Sequence, residues 1–192
     1  MLDPTPALSR IRPFRQTGIG QKLPVNTLRG SMAIWQFTVG LVPRAWAEAE
    51  GSVPAKLYDA DGYTDMSVAW RYEQLDVDID DLMSRVLPAA ASWGDEIRIW
   101  GDETTSDIQV CYEGIAVESV QIRIDTRNST SDLCSKIVRL ARAMDCYLFL
   151  PGDRSIISAD EAALSNAVCK SSAARYSADP HAFLEPLARL PS

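Results

Sequence analysis

Two short strings of alternating carboxylates are the residues of this chain best suited to chemistry, because such strings bind divalent cations in many proteins. The first string, at residues 59–65 (DADGYTD), combines three Asp side chains with a glycine that allows a sharp turn. It resembles a calcium loop, but the first ligand position of that pattern falls on Leu57 and the twelfth on Val68. We therefore expect a polar turn here, with a calcium site as the alternative.

The second string lies at residues 76–81 (DVDIDD) and departs further from a calcium loop. Asp81 stands where the turn glycine is required, and Leu87 stands where a bidentate Glu is required. Acidic residues are favourable in the first turn of a helix, because they interact with the positive end of its dipole. The string predicts a helix start, and joint binding of Mg²⁺ by the two strings remains an alternative.

Residues for nucleophilic catalysis are sparse. The single histidine, His181, follows an Asp-Pro pair at the expected start of a helix, and no GxSxG motif accompanies it. The four cysteines form no CxxC pair. The sequence predicts a protein that is not an enzyme and needs no cofactor, with a carboxylate-dependent metal hydrolase as a minor alternative.

An acidic recognition surface is the strongest functional signal. Residues 73–107 contain ten acidic residues and two arginines, with two tryptophans among them. A large aromatic anchor among carboxylates is typical of a surface that binds a basic protein. The predicted contact residues are Asp76, Asp78, Asp80, Asp81, Trp93, Asp95, Glu96, Trp100, Asp102 and Glu103.

The exposure of Trp100 depends on the phase of its strand. If Ile97 and Ile99 face the core, then Trp100 points to the opposite face together with Arg98. Trp100 is then either an exposed anchor or covered by a loop, and both possibilities stand.

The elements that position these residues predict an α+β fold: a largely antiparallel sheet with helices packed on one face. Alternating apolar residues predict a meander of three strands, with a bulge near residues 118–119. We expect strands at residues 32–42, 96–100, 108–113, 115–125, 147–150 and 155–157, and either a short strand or an irregular segment around Trp70 within 67–75. We expect helices at residues 45–50, 78–87, 132–146, 160–170 and 180–190.

Charge divides the chain into two parts. Residues 1–31 carry a net charge of +4, and residues 32–192 carry −11. The first part is rich in proline and glycine, which predicts a disordered or weakly held basic leader before one domain at 32–192. The overall charge of −7 argues against binding of nucleic acid, which requires cations against the phosphates. No apolar stretch is long enough to cross a membrane, and the scattered cysteines favour reduced thiols in the cytoplasm.

Several segments resemble a known group of proteins. They are residues 32–37 (MAIWQF), 92–103 (SWGDEIRIWGDE), 117–128 (VESVQIRIDTRN), 143–146 (AMDC) and 172–184 (SAARYSADPHAFL). These segments and the order in which they occur are similar to those of a family of small acidic bacterial proteins. Members of that family look like immunity proteins of polymorphic and contact-delivered toxins. The resemblance implies a cytoplasmic inhibitor without an active site, whose partner is a toxin domain such as a basic nuclease. A structural or adaptor subunit of a bacterial assembly is the second hypothesis.

Overall fold

The computed structural model describes residues 33–50, 54–71, 73 and 75–185. The predicted leader at 1–31 lies outside the described residues, as does the end of the predicted last helix beyond residue 185.

The core of the fold is a seven-stranded sheet in which every pair of neighbouring strands is antiparallel. The strands are β1 (Gln36–Pro43), β2 (Ala89–Ala90), β3 (Ile97–Gly101), β4 (Asp107–Glu113), β5 (Ala116–Asp125), β6 (Cys146–Leu150) and β7 (Ser155–Ile157). Their order across the sheet is β2-β3-β4-β5-β1-β6-β7. Together with the helices, this sheet confirms the predicted α+β class.

Seven α-helices and one 3-10 helix (Ala55–Leu57) accompany the sheet in the described part of the chain. The α-helices are α1 (Arg44–Glu50), α2 (Ser67–Trp70), α3 (Ile79–Ser84), α4 (Ser131–Ala143), α5 (Glu161–Lys170), α6 (Ser172–Ala178) and α7 (Pro180–Leu184). The predicted apolar stripe of α4 is confirmed, because Ile137, Leu140 and Met144 are buried and Leu133 packs against the core.

One face of the sheet, the helix-covered face, is apolar throughout its centre. Cross-strand partners Val39 and Ile122 are fully buried there, as are Val110 and Val120. Trp100 of β3 shares this face, and its indole Nε1 donates a hydrogen bond to Ser84 Oγ at the end of α3. Truncating one such buried side chain to Ala typically costs about 2–5 kcal/mol of folding stability.

The opposite face, the polar face, carries a row of polar side chains in its central strands. The buried polar and charged residues of the described chain all lie here: Gln36, Asp107, Gln109, Arg123 and Asp125. Helix α2 packs against β1 and β5, and Met66 just before it fills the space beside Gly40 on this face. Tyr58, which follows the 3-10 helix, packs edge-to-face against Phe149 of β6. The polar face is therefore covered by short elements, in addition to the helices on the other side.

The predicted bulge in β5 is confirmed. Cys111 pairs with Ser119 and the next residue, Tyr112, pairs with Val117, so Glu118 has no opposite residue in β4. One extra residue in a strand reverses the phase of its side chains. This explains why Val117 and Val120 are both buried.

The prediction of a short strand within residues 67–75 was wrong, because residues 67–70 form helix α2. Asp65 Oδ1 accepts hydrogen bonds from the amide and the hydroxyl of Ser67, which supports the first turn. Trp70 is buried and donates from its indole to the carbonyl oxygen of Leu41 at 3.0 Å. Tertiary packing around this tryptophan thus overrides the local β preference.

The chain shows no helix, in its described part, that is long and apolar enough to cross a membrane.

Candidate functional site

Trp93 is the most exposed tryptophan side chain that the structure describes, and it lies beside the β2 edge of the sheet. Its side chain is 68% exposed. The indole Nε1 donates a hydrogen bond to Glu103 Oε1 at 3.1 Å, which ties the loop between β2 and β3 to the turn between β3 and β4. An aromatic ring is thereby presented to solvent with a carboxylate fixed at its polar end.

Glu103 is held in place from several directions. Its carboxylate lies 3.5 Å from Gln109 Nε2 and 4.0 Å from a guanidinium nitrogen of Arg123. Its backbone carbonyl accepts a hydrogen bond from Gln36 Nε2 at 3.0 Å. The position of Glu103, and with it that of Trp93, is therefore set by the polar face of the sheet.

A buried ion pair forms the support beneath Glu103. Arg123 donates from both Nε and a terminal nitrogen to the two carboxylate oxygens of Asp107, each at 2.6 Å. Gln109 Nε2 adds a third hydrogen bond to Asp107 at 2.9 Å. Asp107 is fully buried, so these bonds replace the water that its carboxylate would lose on burial.

The turn between β3 and β4 contains a second predicted contact residue, Asp102. Its carboxylate accepts hydrogen bonds from the amide of Thr104 at 2.8 Å and from the hydroxyl of Thr104 at 2.7 Å. The hydroxyl and amide of Thr104 lower the pKa of Asp102. Asp102 therefore has its charge stabilised locally while remaining exposed to solvent.

Three of the four predicted residues of the second Asp string, Asp78, Asp80 and Asp81, lie at the start of α3, and Asp76 precedes the helix. Asp78 caps the helix by accepting from the amide of Asp81, as the acidic first turn predicts. Asp80 binds the guanidinium of Arg98 at 2.7 Å, which raises the pKa of Arg98, and Asp81 pairs with Arg85. Two of these carboxylates therefore have arginine partners within the chain.

Three carboxylates of the predicted contact set are different, because their side chains form neither an ion pair nor a hydrogen bond with any residue that the structure describes. They are Asp76, Asp95 and Glu96. Asp95 and Glu96 follow Trp93 in the chain after Gly94 and precede β3. Free carboxylates beside an exposed indole keep their full charge available to an incoming cation.

The structure corrects the interpretation of Trp100 as an exposed contact residue. Trp100 is only 3% exposed and belongs to the core cluster. Ile99, whose side chain points to the opposite face, is also buried, so both faces of β3 are covered at this point. The alternation of side chains along β3 therefore does not place Trp100 in solvent. Helix α3 provides the cover on the side of Trp100.

The remaining nine predicted contact residues are exposed, but they do not all lie together. The α3 residues flank the helix-covered face near β3, as the contact between Asp80 and Arg98 on β3 indicates. Trp93 and Glu103 lie towards the polar face. Asp76 lies apart from both groups, near Arg44 and Asp145.

The alternative metal sites gain no support within the described residues, where no group of three or more His, Cys, Asp and Glu side chains could hold a metal ion. In the first string, Asp59 Oδ1 accepts from the amides of Asp61 and Tyr63, which is the hydrogen-bonding of a polar turn. His181 is exposed on α7. The prediction of a polar turn at residues 59–65 fits this geometry.

A shallow cavity of about 280 Å³ lies at a different part of the surface. Its rim includes Asp76, Glu73 and the ion pair of Arg44 with Asp145, in which Arg44 Nε donates to Asp145 Oδ1 at 2.7 Å. Asp145 has a positive φ of 50° after helix α4, and Arg44 lowers its pKa. We interpret this pair as support for the turn between α4 and β6.

The pairing of Asp107 with Arg123 was not predicted from the sequence. Polar residues at every second position, Asp107 and Gln109 in β4 with Gln121, Arg123 and Asp125 in β5, were the available signal. Two adjacent polar rows of this kind indicate a polar face that is covered and internally hydrogen-bonded.

Comparisons of this chain with protein-family models, with curated proteins and with solved structures gave no match.

Proposed function

We propose that this chain is a non-enzymatic binding protein that neutralises a basic partner protein. The observation that carries the proposal is the exposed indole of Trp93, fixed by Glu103 and followed by the free carboxylates of Asp95 and Glu96. We name these four residues the Trp93 surface.

The Trp93 surface has the two properties that a rapid and tight protein contact requires. Its carboxylates attract a basic partner over distances of up to about one Debye length, roughly 8 Å at physiological ionic strength. Its indole supplies a rigid apolar area, and tryptophan is enriched among the residues that dominate binding energy. Because Glu103 already orients the ring, little conformational entropy is lost when the partner binds.

The partner class follows from the charge of this surface and from the resemblance described above. We propose a basic toxin domain, with a nuclease as the first candidate, since nuclease grooves are cationic in order to hold phosphates. The chain would act as the immunity protein and would meet its toxin in the bacterial cytoplasm. An adaptor role in a bacterial assembly uses the same surface but requires no inhibition.

Co-expression with a candidate basic toxin domain tests the proposal. We expect the chain to restore growth and to inhibit the purified toxin at a ratio of one to one. Trp93→Ala should weaken inhibition by at least about tenfold, the typical effect of losing a hot-spot residue. Leu184→Ala, which truncates another exposed apolar side chain on α7, is the matched control and should leave inhibition unchanged.

The outcomes separate the alternatives. Binding without inhibition would favour the adaptor role. Equal inhibition by the Trp93→Ala and wild-type chains would contradict the proposed surface. Calorimetric titration with Mg²⁺, Mn²⁺ and Ca²⁺ tests the hydrolase alternative, because a carboxylate-dependent hydrolase must bind its metal.

A further inference from the structure

The outer side of β2 is an open edge of the sheet. β2 pairs only with β3, with Ala89 opposite Trp100 and Ala90 opposite Ile99, and it is the first strand in the sheet order. The edge is short, and Pro88 precedes it. Ala89, Ala90, Ala91 and Ser92 are all exposed.

The hydrogen-bond pattern determines which backbone groups point away from the sheet. Gly101 N–H donates to the carbonyl oxygen of Pro88 at 2.7 Å, which makes these two residues a hydrogen-bonded pair. Hydrogen-bonded and non-hydrogen-bonded pairs alternate along an antiparallel ladder. Ala89 therefore directs its N–H and C=O outward, and Ala90 directs its groups towards Ile99. Ala91 follows the end of β2, and continuation of the same alternation would direct its groups outward as well.

These outward groups have no hydrogen-bond partner among the residues that the structure describes. Residues at positions i and i+2 of a strand lie roughly 7 Å apart, which is the spacing at which an added strand forms its hydrogen bonds. Sheet edges are usually protected by short length, proline, charged side chains or bulges. Short length and Pro88 restrict this edge to the neighbourhood of Ala89–Ala91, but its small, uncharged side chains do not obstruct the approach of another strand.

Charged groups flank this edge on both sides. Asp80 on α3 lies next to β3 through its contact with Arg98, towards the helix-covered face. Glu103 and Trp93 lie towards the polar face, and Asp95 and Glu96 follow in the same loop. On the helix-covered side Asp80 is already paired with Arg98. The side chains of an added strand alternate between the two faces, so one set of its side chains would meet the Trp93 surface.

We infer that the β2 edge receives an extended, Lys/Arg-rich segment of the partner, which joins the sheet as an additional strand beside the Trp93 surface. This inference rests on the proposed function, since it specifies how the basic partner docks. Backbone hydrogen bonds to Ala89 and Ala91 would provide affinity, and the flanking carboxylates would select a basic sequence.

A second copy of this chain fits the same edge less well. Antiparallel pairing of β2 with β2 of another copy would bring the two sets of flanking carboxylates together, and the chain has a net charge of −7. Like charges brought together at an interface oppose binding. The charge of the surroundings therefore favours a basic segment over self-association.

A synthetic probe tests the inference with the full-length chain. We choose an acetylated peptide of about eight residues with alternating Lys and Val, long enough to cover the edge. NMR titration should shift the amide signals of Ala89 and Ala91 and slow their hydrogen exchange. The same peptide with N-methylated backbone amides on its edge-facing side keeps its charge but cannot donate these bonds.

Loss of two or more backbone hydrogen bonds should weaken binding by at least about tenfold, so the N-methylated peptide should bind that much less tightly. An alternating Glu and Val peptide should not bind. On the protein side, Ala91→Pro removes an outward N–H and should weaken binding, whereas Ala91→Val keeps the N–H and should not. The N-methylated peptide keeps the test decisive if Ala91→Pro disturbs the fold.

Three results would overturn the inference: equal binding of the N-methylated and unmodified peptides, no protection of the Ala89 and Ala91 amides, or salt-independent dimerisation of the chain through β2. The first two leave the proposed function intact if Trp93→Ala still impairs toxin inhibition. Loss of the effect of Trp93→Ala contradicts the proposed function itself.

Discussion

Trp93 donates its indole hydrogen to Glu103 at 3.1 Å, and this bond joins the loop before β3 to the turn after it. Glu103 lies in turn next to Arg123, which is almost fully buried in its pair with Asp107. An exposed aromatic ring is thus connected to the interior of the sheet through two side chains. We attribute the fixed orientation of the Trp93 surface to this connection.

Trp93 and Trp100 should respond in opposite ways to truncation. Trp100→Ala removes a core side chain and should lower the free energy of unfolding by about 3–5 kcal/mol. Trp93→Ala removes a mostly exposed ring and should change it by less than about 1 kcal/mol. Urea denaturation followed by far-ultraviolet circular dichroism measures both. A large loss of stability in Trp93→Ala would show that this ring is structural.

The Asp107 and Arg123 pair should be costly to break on one side. Arg123→Met leaves the carboxylate of Asp107 buried without its cation, and should lower the free energy of unfolding by about 3–5 kcal/mol. The double variant Asp107→Leu with Arg123→Met removes both charges and should recover part of the loss. Chemical denaturation of the single and double variants tests this. Stability of Arg123→Met equal to that of the wild type would contradict the role of the pair.

Asp125 should contribute to the loss of stability in acid. Hydrogen bonds from Arg127, at 2.9 Å and 2.8 Å, lower the pKa of Asp125 in the folded state. A carboxyl group whose pKa is lower when folded stabilises the fold above its unfolded pKa of about 3.9 and loses that contribution as the pH falls through the folded pKa.

Asp125→Asn should therefore show a smaller decrease in unfolding free energy between neutral pH and acid than the wild type. Urea titrations at several pH values give the two slopes. Asp61→Asn, an exposed residue in the polar turn, is the control and should follow the wild type. Parallel curves for Asp125→Asn and wild type would contradict the prediction.

Gly101 should tolerate no side chain. Its φ of +90° is unfavourable for other residues, and an added Cβ would lie 2.3 Å from the carbonyl oxygen of Ser106. Gly101→Ala should lower the melting temperature and, by displacing the β3–β4 turn, weaken toxin inhibition more than its effect on stability explains. Gly152→Ala, where a Cβ meets nothing within 4 Å, is the matched control. Equal melting temperatures for the two variants would contradict this account.

The sequence predicted the sheet well wherever one face of a strand is apolar. The meander β3–β5, the bulge at Glu118 and the stripe of α4 follow from residue periodicity alone. The two-residue strand β2 was not predicted, because Ala89 and Ala90 have no β preference and pair only through the tertiary fold. Helix α6 was missed for a related reason, since its short run lacks a clear apolar stripe.

The candidate site was predicted less completely than the fold. Exposed acidic residues were identified correctly because charge favours the surface. Trp100 was misplaced because periodicity cannot reveal that α3 covers the far side of β3. The link from Glu103 to Arg123 depends on contacts between distant parts of the chain, which one sequence does not encode in a visible pattern.

The association rate of the chain with the proposed basic toxin domain tests the central claim most directly. Asp95→Lys with Glu96→Lys reverses two free carboxylates of the Trp93 surface, and Asp61→Lys with Asp153→Lys makes the same change in net charge elsewhere, at residues 61 and 153. Stopped-flow measurements at low and at physiological ionic strength compare both double variants with the wild type.

We predict that the first double variant associates at least about tenfold more slowly at low ionic strength and loses most of its salt dependence. The second double variant should remain close to the wild type. Equal association rates and equal salt dependence for the two double variants would contradict the claim that the Trp93 surface receives a basic partner.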